Sequence, residues 1–230
     1  MAGSSSAPAP ASGGRAVWLV AGALLVVLGL VALWFGRGGD EPERAATTIT
    51  GPTKVEAAPS ASVVLGDGSS APDALPAYDA TVDDDPAVGR EIPAVAGTGL
   101  DGSEVVIEPD GTAKVLVFVA HWCPHCRREV PRLVEHLAAQ PMPDDVELLT
   151  VSTSVKPGAE GYPPAEWLEE AGWTAPVLAD DDLESVADAF GLSAFPFFVV
   201  VDADGTVVER ASGELSTERF DALVEAAQGR

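Results

Sequence analysis

The sequence predicts an α/β domain over residues 89–230, a mixed β-sheet flanked by helices with an extra hairpin at its N-terminal side. Three observations predict it. "VLVFVA" at Val115–Ala120 is a continuous apolar run, the mark of a strand buried on both faces of a sheet, and "VELLTV" at Val146–Val151 reads as a second buried strand. Between them lies a helical pattern, with Val130, Leu133, Val134 and Leu137 spaced i, i+3, i+4, i+7. The chain then closes with "FPFFVVVDADGTVVERASG", two strand-like runs around an Asp-Gly turn, followed by an amphipathic helix. Strands alternating with helices and then a hairpin require a sheet with both parallel and antiparallel pairs.

Ahead of this domain the composition changes twice. Residues 1–15 are Ser-, Ala-, Pro- and Gly-rich and are expected to form a short disordered tail. Residues 16–36 hold "AVWLVAGALLVVLGLVALWF", an uncharged run long enough for a helix to cross a bilayer core of about 30 Å. Trp18 and Trp34 stand near its ends, where interfacial aromatics belong, and no small-x-small cleavage site follows Phe35. An uncleaved transmembrane anchor is expected. Residues 37–88 are rich in Pro, Ala and acid without a period of 2 or 3.6, the composition of a flexible tether. Arg15 precedes the apolar run while Arg37 and Arg44 follow it, so the charge rule does not decide orientation.

Within the domain, order is expected from about Ile92. Asp101-Gly102 and Asp110-Gly111 punctuate short apolar runs, which predicts a hairpin leading into the Val115–Ala120 strand. The helix spans Pro124–Ala139, with Pro124 at the first helical position, where its missing N–H costs nothing. After the second strand, "PPAEWLEEAG" predicts a short helix, "APVLAD" a short strand, and Leu183–Phe190 a helix stopped by Gly191. Ser216 or Thr217 ahead of acid caps the last helix.

The formal net charge is −23 with three histidines and two cysteines, which argues against a nucleic-acid partner. Both cysteines lie in "HWCPHC", where a buried strand delivers Cys123 to the start of a helix. Unpaired N–H groups and the helix dipole favour an anion there, and the thiolate is the nucleophilic form. Cys126, one turn further in, is placed to close an intramolecular disulfide and expel a bound partner. As a structural staple the pair closes too small a loop to remove much chain entropy. Zinc would need two further ligands, and the chain has no second CxxC. No metal and no cofactor is expected.

"WCPHC" with its helix and the distant "SAFPFFVVVDADGTVV" resembles the thioredoxin fold, in particular the membrane-tethered TlpA and ResA group of thiol-disulfide oxidoreductases. The resemblance implies Cys123 as nucleophile and Cys126 as resolving thiol. It implies a cis peptide bond before Pro196, facing the dithiol, with Trp122, Phe195 and Pro196 shaping the surface that binds substrate. Pro131 matches the proline inside the active-site helix. Glu129, three residues after Cys126, stands where this group carries an acid near the thiols, while the aspartate of thioredoxin itself is replaced by Val117. His125 gives the "CPHC" pair of the DsbA type of oxidant, and it is expected to donate to the Cys123 thiolate. His121 and Arg127 are expected on the solvated surface.

The resemblance also implies protein thiols or disulfides as partners, apocytochrome c or secreted proteins among them, and a membrane electron donor or acceptor. The redox domain is expected on the extracytoplasmic side of the cytoplasmic membrane, as a monomer, with the N-terminus inside. An oxidant of the DsbA type and a copper-binding protein of the Sco type are the alternatives. Sco-type cysteines are usually spaced one residue further apart with a distal histidine, and no histidine follows His136. A peroxiredoxin would place its cysteine in Pro-x-x-x-Thr-x-x-Cys, which "FVAHWC" is not.

Overall fold

The computed structural model describes residues 61–64 and 73–230. The expected anchor at residues 16–36 lies outside the described residues, and among those described no helix is long and apolar enough to cross a membrane.

A five-stranded sheet forms the centre. Its strands are β4 (Ala113–Val119), β5 (Val146–Ser152), β6 (Val177–Ala179), β7 (Phe197–Val201) and β8 (Val207–Ser212), in the order β6-β5-β4-β7-β8. β4 pairs in parallel with β5, and β5 with β6; β7 runs antiparallel to both β4 and β8. The sheet is mixed, as the pattern of runs requires. β4 lies in the middle, with Val115 opposite Leu148 on one side and Val200 on the other.

Successive side chains of a strand point to opposite faces, so the uninterrupted apolar run of β4 feeds two cores. Val115, Val117 and Val119 pack in one cluster with Leu133, Phe220 and Leu223, side chains of α1 (Pro124–Ala139) and α4 (Thr217–Ala227). Leu116 and Phe118 pack in the other, with Ile92, Ile107, Phe190 and Phe197. Each such fully buried side chain stabilises the fold by about 1.5–3 kcal/mol relative to exposure.

The expected N-terminal hairpin is present as β2 (Ala94–Thr98) and β3 (Glu104–Ile107), antiparallel around the Asp101-Gly102 turn. A third strand, β1 (Ala61–Val64), adds to its edge with Ser62 opposite Ala96. Residues 61–64 fall in the segment read as tether. So do residues 73–88, and here the boundary expected at residue 89 is corrected. Leu75 and Ala87 are buried, and the Leu75 and Tyr78 N–H groups donate to the Ala189 and Gly191 carbonyls at 2.8 Å. Gly191 has φ +71°, and a Cβ there would lie 2.2 Å from the Pro76 carbonyl oxygen, so only glycine lets this strap pass.

The remaining helices are α2 (Pro164–Glu170) and α3 (Ser185–Ala189). α3 is shorter than the expected Leu183–Phe190 because aspartates take over its first turn. Asp180 accepts from the Val186 and Ala187 N–H groups, and Asp181 from those of Leu183 and Ser185. Ser216 caps α4, its Oγ accepting from the Arg219 N–H at 3.2 Å.

Candidate active site

β4 ends at Val119, and four residues later the chain enters α1. Cys123 is the N-cap, with φ −76° and ψ 120°, and no acid stands in the first turn of α1 to compete for its positive end. The Cys123 N–H donates to the Ala120 carbonyl at 3.0 Å, and its own carbonyl accepts from the Arg127 N–H at 3.1 Å. Both thiols are free. They are unequal in access: Cys123 is 5% exposed and Cys126 not at all, so an incoming disulfide can reach only the first. Burial pushes the Cys126 thiol far up, the Cys123 sulfur and the Glu129 carboxylate push it further, and contact with the Ala120 backbone partly offsets them.

Glu129 lies one turn beyond Cys126 and is fully buried. Its carboxylate forms an ion pair with Arg132 one turn further along, and it accepts from the Leu215 N–H at 3.3 Å to each oxygen. Burial raises its pKa above the ordinary carboxylate value even so, against the opposing pull of Arg132 and the Leu215 hydrogen bond. Glu129 thus stands one helical turn from Cys126, screened from water, and its charge acts on that thiol.

His125 differs from expectation. Its ring is exposed, and Nδ1 lies 2.6 Å from Oε1 of Glu214 in the turn after β8. Arg128 approaches the same carboxylate, with Nη2 at 2.6 Å from Oε1 and Nε at 3.1 and 3.2 Å from the two oxygens. Arg128 and then His125 hold the Glu214 carboxylate down to about 2. Arg128 Nη2 also lies 2.9 Å from Nδ1, so this edge of the ring faces Glu214 and Arg128, where the sequence reading directed the histidine at Cys123. Glu214 was missed because it stands 89 positions from His125 and no local pattern connects them.

Trp122 and Phe195 pack against the buried cluster that contains Cys123 and Cys126. The Phe195-Pro196 bond is cis, as the resemblance implied. Pro196 is buried and its carbonyl accepts from the Gly213 N–H at 2.8 Å. The Trp122 and Phe195 rings meet edge to face at 6.0 Å, both partly exposed. The Trp122 indole N–H donates to the Ser154 carbonyl at 2.7 Å, and the Lys156 amine stands 3.4 Å over the Trp122 ring.

His121 overturns the surface reading. It is fully buried, with Nδ1 2.9 Å from the Glu160 carbonyl and Nε2 3.0 Å from the Lys156 N–H. A carbonyl only accepts and an amide only donates, so Nδ1 carries the proton and the ring is neutral. It adds no positive charge to the site. Arg127 does reach the surface, paired with Glu160 at 2.9 Å. A second cis bond, Tyr162-Pro163, lies in the same loop and had no counterpart in the sequence reading.

The profile of the Redoxin family matches residues 87–226. A thiol:disulfide interchange protein, a DsbE homolog of Paracoccus denitrificans, is 32% identical over 154 residues, covering 65% of this chain and 75% of that one. The thiol-disulfide oxidoreductase ResA of Bacillus thuringiensis is 25% identical over 58% of this chain and 75% of its own. The thiol:disulfide interchange protein HelX of Rhodobacter capsulatus is 28% identical over 59% and 76%. Among solved structures, a thiol:disulfide interchange protein of DsbE type from Chlorobium tepidum aligns with a TM-score of 0.52 at 22% identity, over 61% of this chain and 96% of that one.

Proposed function

The chain belongs to the redoxin family, as a thioredoxin-fold protein thiol-disulfide oxidoreductase of the DsbE, ResA and HelX type, and from that premise we propose that Cys123 and Cys126 exchange disulfides with protein substrates. The unequal burial of the two thiols is the observation that supports this most directly. Cys123, at the positive end of α1, attacks one sulfur of a substrate disulfide; a mixed disulfide forms and one substrate thiolate leaves. Cys126 then gives its proton to Glu129 and attacks the Cys123 sulfur. The second substrate thiol is released, and the substrate is reduced by two electrons as the Cys123–Cys126 disulfide forms. Run backwards, the same steps oxidise a substrate dithiol.

Glu129 suits the proton's path because burial raises its pKa above the ordinary carboxylate value, which makes it a stronger proton acceptor one turn from Cys126. Trp122, Phe195 and Pro196 supply the surface on which the substrate chain lies. The TlpA-like character of the enzyme extends to its tether: residues 16–36 anchor the chain in the cytoplasmic membrane, with the redox domain on the extracytoplasmic side. The uncharged run supports the anchor, and the redox chemistry of that compartment supports the side.

Trapping tests the assignment. Cys126→Ser should accumulate a covalent adduct with a protein substrate, and Cys123→Ser should accumulate none. Adducts through Cys126 in the Cys123→Ser chain would reverse the roles. Retention of the full chain in carbonate-washed membranes, with the domain open to protease outside intact cytoplasmic membranes, tests anchor and side.

A further inference from the structure

The residue before Trp122 is a fully buried histidine that plays no part in the exchange steps, and both of its ring nitrogens are spent on one loop. His121 Nδ1 donates to the Glu160 carbonyl and Nε2 accepts from the Lys156 N–H. Trp122 holds the same loop through the Ser154 carbonyl, and Arg127 through the Glu160 side chain. Gly161 closes against it from the other end. It has φ +77°, and a Cβ there would lie 2.8 Å from the His121 carbonyl oxygen and from Arg127 Nη1. Residues 154–162 are therefore fastened to the two residues that precede Cys123 and to the one that follows Cys126.

What this loop shows to solvent is selective. Val155 and Tyr162 are among the exposed large apolar side chains of the domain, at 39% and 46%. Between them in sequence is Lys156, lying over the Trp122 ring beside the dithiol. The arginines of α1 are each neutralised within the chain, Arg127 by Glu160, Arg128 by Glu214 and Arg132 by Glu129. Among the described residues Lys156 has no carboxylate partner, in a protein of net charge −23. A cation left open beside the nucleophile in so acidic a chain is complementary to an acid on what docks there.

We infer that residues 154–162 form a substrate-selecting rim, held in shape by His121, and that it takes an extended polypeptide carrying an apolar and an acidic side chain next to its cysteine. His121 acts here as a positioning residue and Lys156 as the group that meets the substrate carboxylate. The inference rests on the exchange activity proposed for Cys123 and Cys126, and names the substrate class of that site.

Two symmetric disulfide dimers of short cysteine peptides provide the probe, one with Leu and Asp flanking the cysteine, the other with Leu and Lys. The reduced protein converts either dimer to two peptide thiols as its own disulfide forms, and quenched samples are counted by mass spectrometry. At about 0.15 M salt the screening length is roughly 8 Å, so the charge of the whole protein is damped and the local cation remains. The Asp peptide should react about two- to fivefold faster than the Lys peptide, the range of one exposed ion pair.

Lys156→Gln should bring the ratio near one. His121→Phe keeps the buried volume but removes both loop bonds. It should bring the ratio down likewise and abolish the hydrogen-exchange protection of the Lys156 amide. If His121→Phe does not fold, Lys156→Gln alone decides the matter. A wild-type protein that exchanges with both dimers at equal rates, or a ratio untouched by Lys156→Gln, overturns the rim. A wild-type protein that exchanges with neither dimer overturns the activity assigned to the dithiol, and the rim with it.

Discussion

His125 and Glu214 meet across 89 positions of sequence, with Nδ1 2.6 Å from Oε1, and Arg128 Nη2 closes on the same oxygen at 2.6 Å. This contact changes what the "CPHC" pair can do. A histidine between two cysteines makes a disulfide more oxidising when it stabilises the attacking thiolate. A histidine whose Nδ1 edge is engaged by a carboxylate and an arginine supplies less of that stabilisation.

The redox potential should therefore depend on the two residues jointly. Reference potentials of about −270 mV for thioredoxin and −120 mV for DsbA bracket the range, and an intermediate value is expected here. His125→Ala alone should lower the potential only slightly. Glu214→Gln should raise it, because the carboxylate that occupies His125 and Arg128 is gone. In the Glu214→Gln background, His125→Ala should then lower it by some tens of millivolts, on the order that one charge-assisted contact supplies. Equilibration with glutathione buffers measures all four proteins. Equal shifts from His125→Ala in both backgrounds would show that Glu214 does not control the histidine.

The same contact has a consequence in acid. Glu214 is depressed from 4.5 to about 2, so the stability it contributes is fully present above pH 4.5 and is lost as the pH falls through about 2. Wild type and Glu214→Gln should differ most in urea midpoint above pH 4.5 and converge toward pH 2. A difference that persists undiminished at pH 2 would mean that the pair is not formed in solution.

Glu129 runs the other way. Its pKa is raised, so the folded state holds the proton more tightly than the unfolded state, whose value is near 4.5. Stability falls as the pH rises through the window that starts there. Glu129→Gln lacks this dependence, so its stability relative to wild type should increase with pH. Its exchange rate should drop about a hundredfold, at the low end of what a positioned acid-base group contributes. A stability difference that is flat with pH would place Glu129 outside the buried, raised-pKa setting.

Much of this was legible in the sequence, for physical reasons that also mark where legibility stopped. Pro124 at the first helical position and the apolar spacing from Val130 to Leu137 locate α1 to its terminal residues. The continuous apolar run Val115–Val119 of β4, with the mostly apolar β5 beside it, locates the centre of a sheet covered on both faces. The placement of Cys123 and Cys126 follows from the strand-to-helix pattern, and that of Glu129 from helix spacing together with the family resemblance. His121 was misread because a buried polar ring is recognised only by its partners, and these are backbone atoms 35 and 39 positions away. Glu214 was missed for the same reason. The residues from Leu75 to Ala87 carry too few apolar side chains to announce packing, and what holds them is a charge on β8.

That charge is Arg210, and it supports the last prediction. Its side chain is fully buried and Asp85 is nearly so. Nε and Nη2 donate to the two Asp85 oxygens at 2.8 and 2.6 Å, and Nη1 donates to the Pro76 and Phe190 carbonyls at 2.8 and 3.0 Å. Burial pushes Asp85 up, but the Arg210 and Ala87 hydrogen bonds outweigh it and the pKa is lowered. Its contribution is present above the ordinary value of 3.8 and lost in more acidic solution. Asp85→Ala leaves a buried guanidinium without its counter-charge, which typically costs about 3–5 kcal/mol. For a domain of this size that lowers Tm by about 10 °C. Asp85→Leu with Arg210→Met should recover part of the loss, since two apolar side chains leave no charge stranded. Limited proteolysis locates the effect: the wild-type core should begin ahead of Leu75, and the Asp85→Ala core near residue 89. Equal cores from both proteins would show that the strap does not depend on the pair.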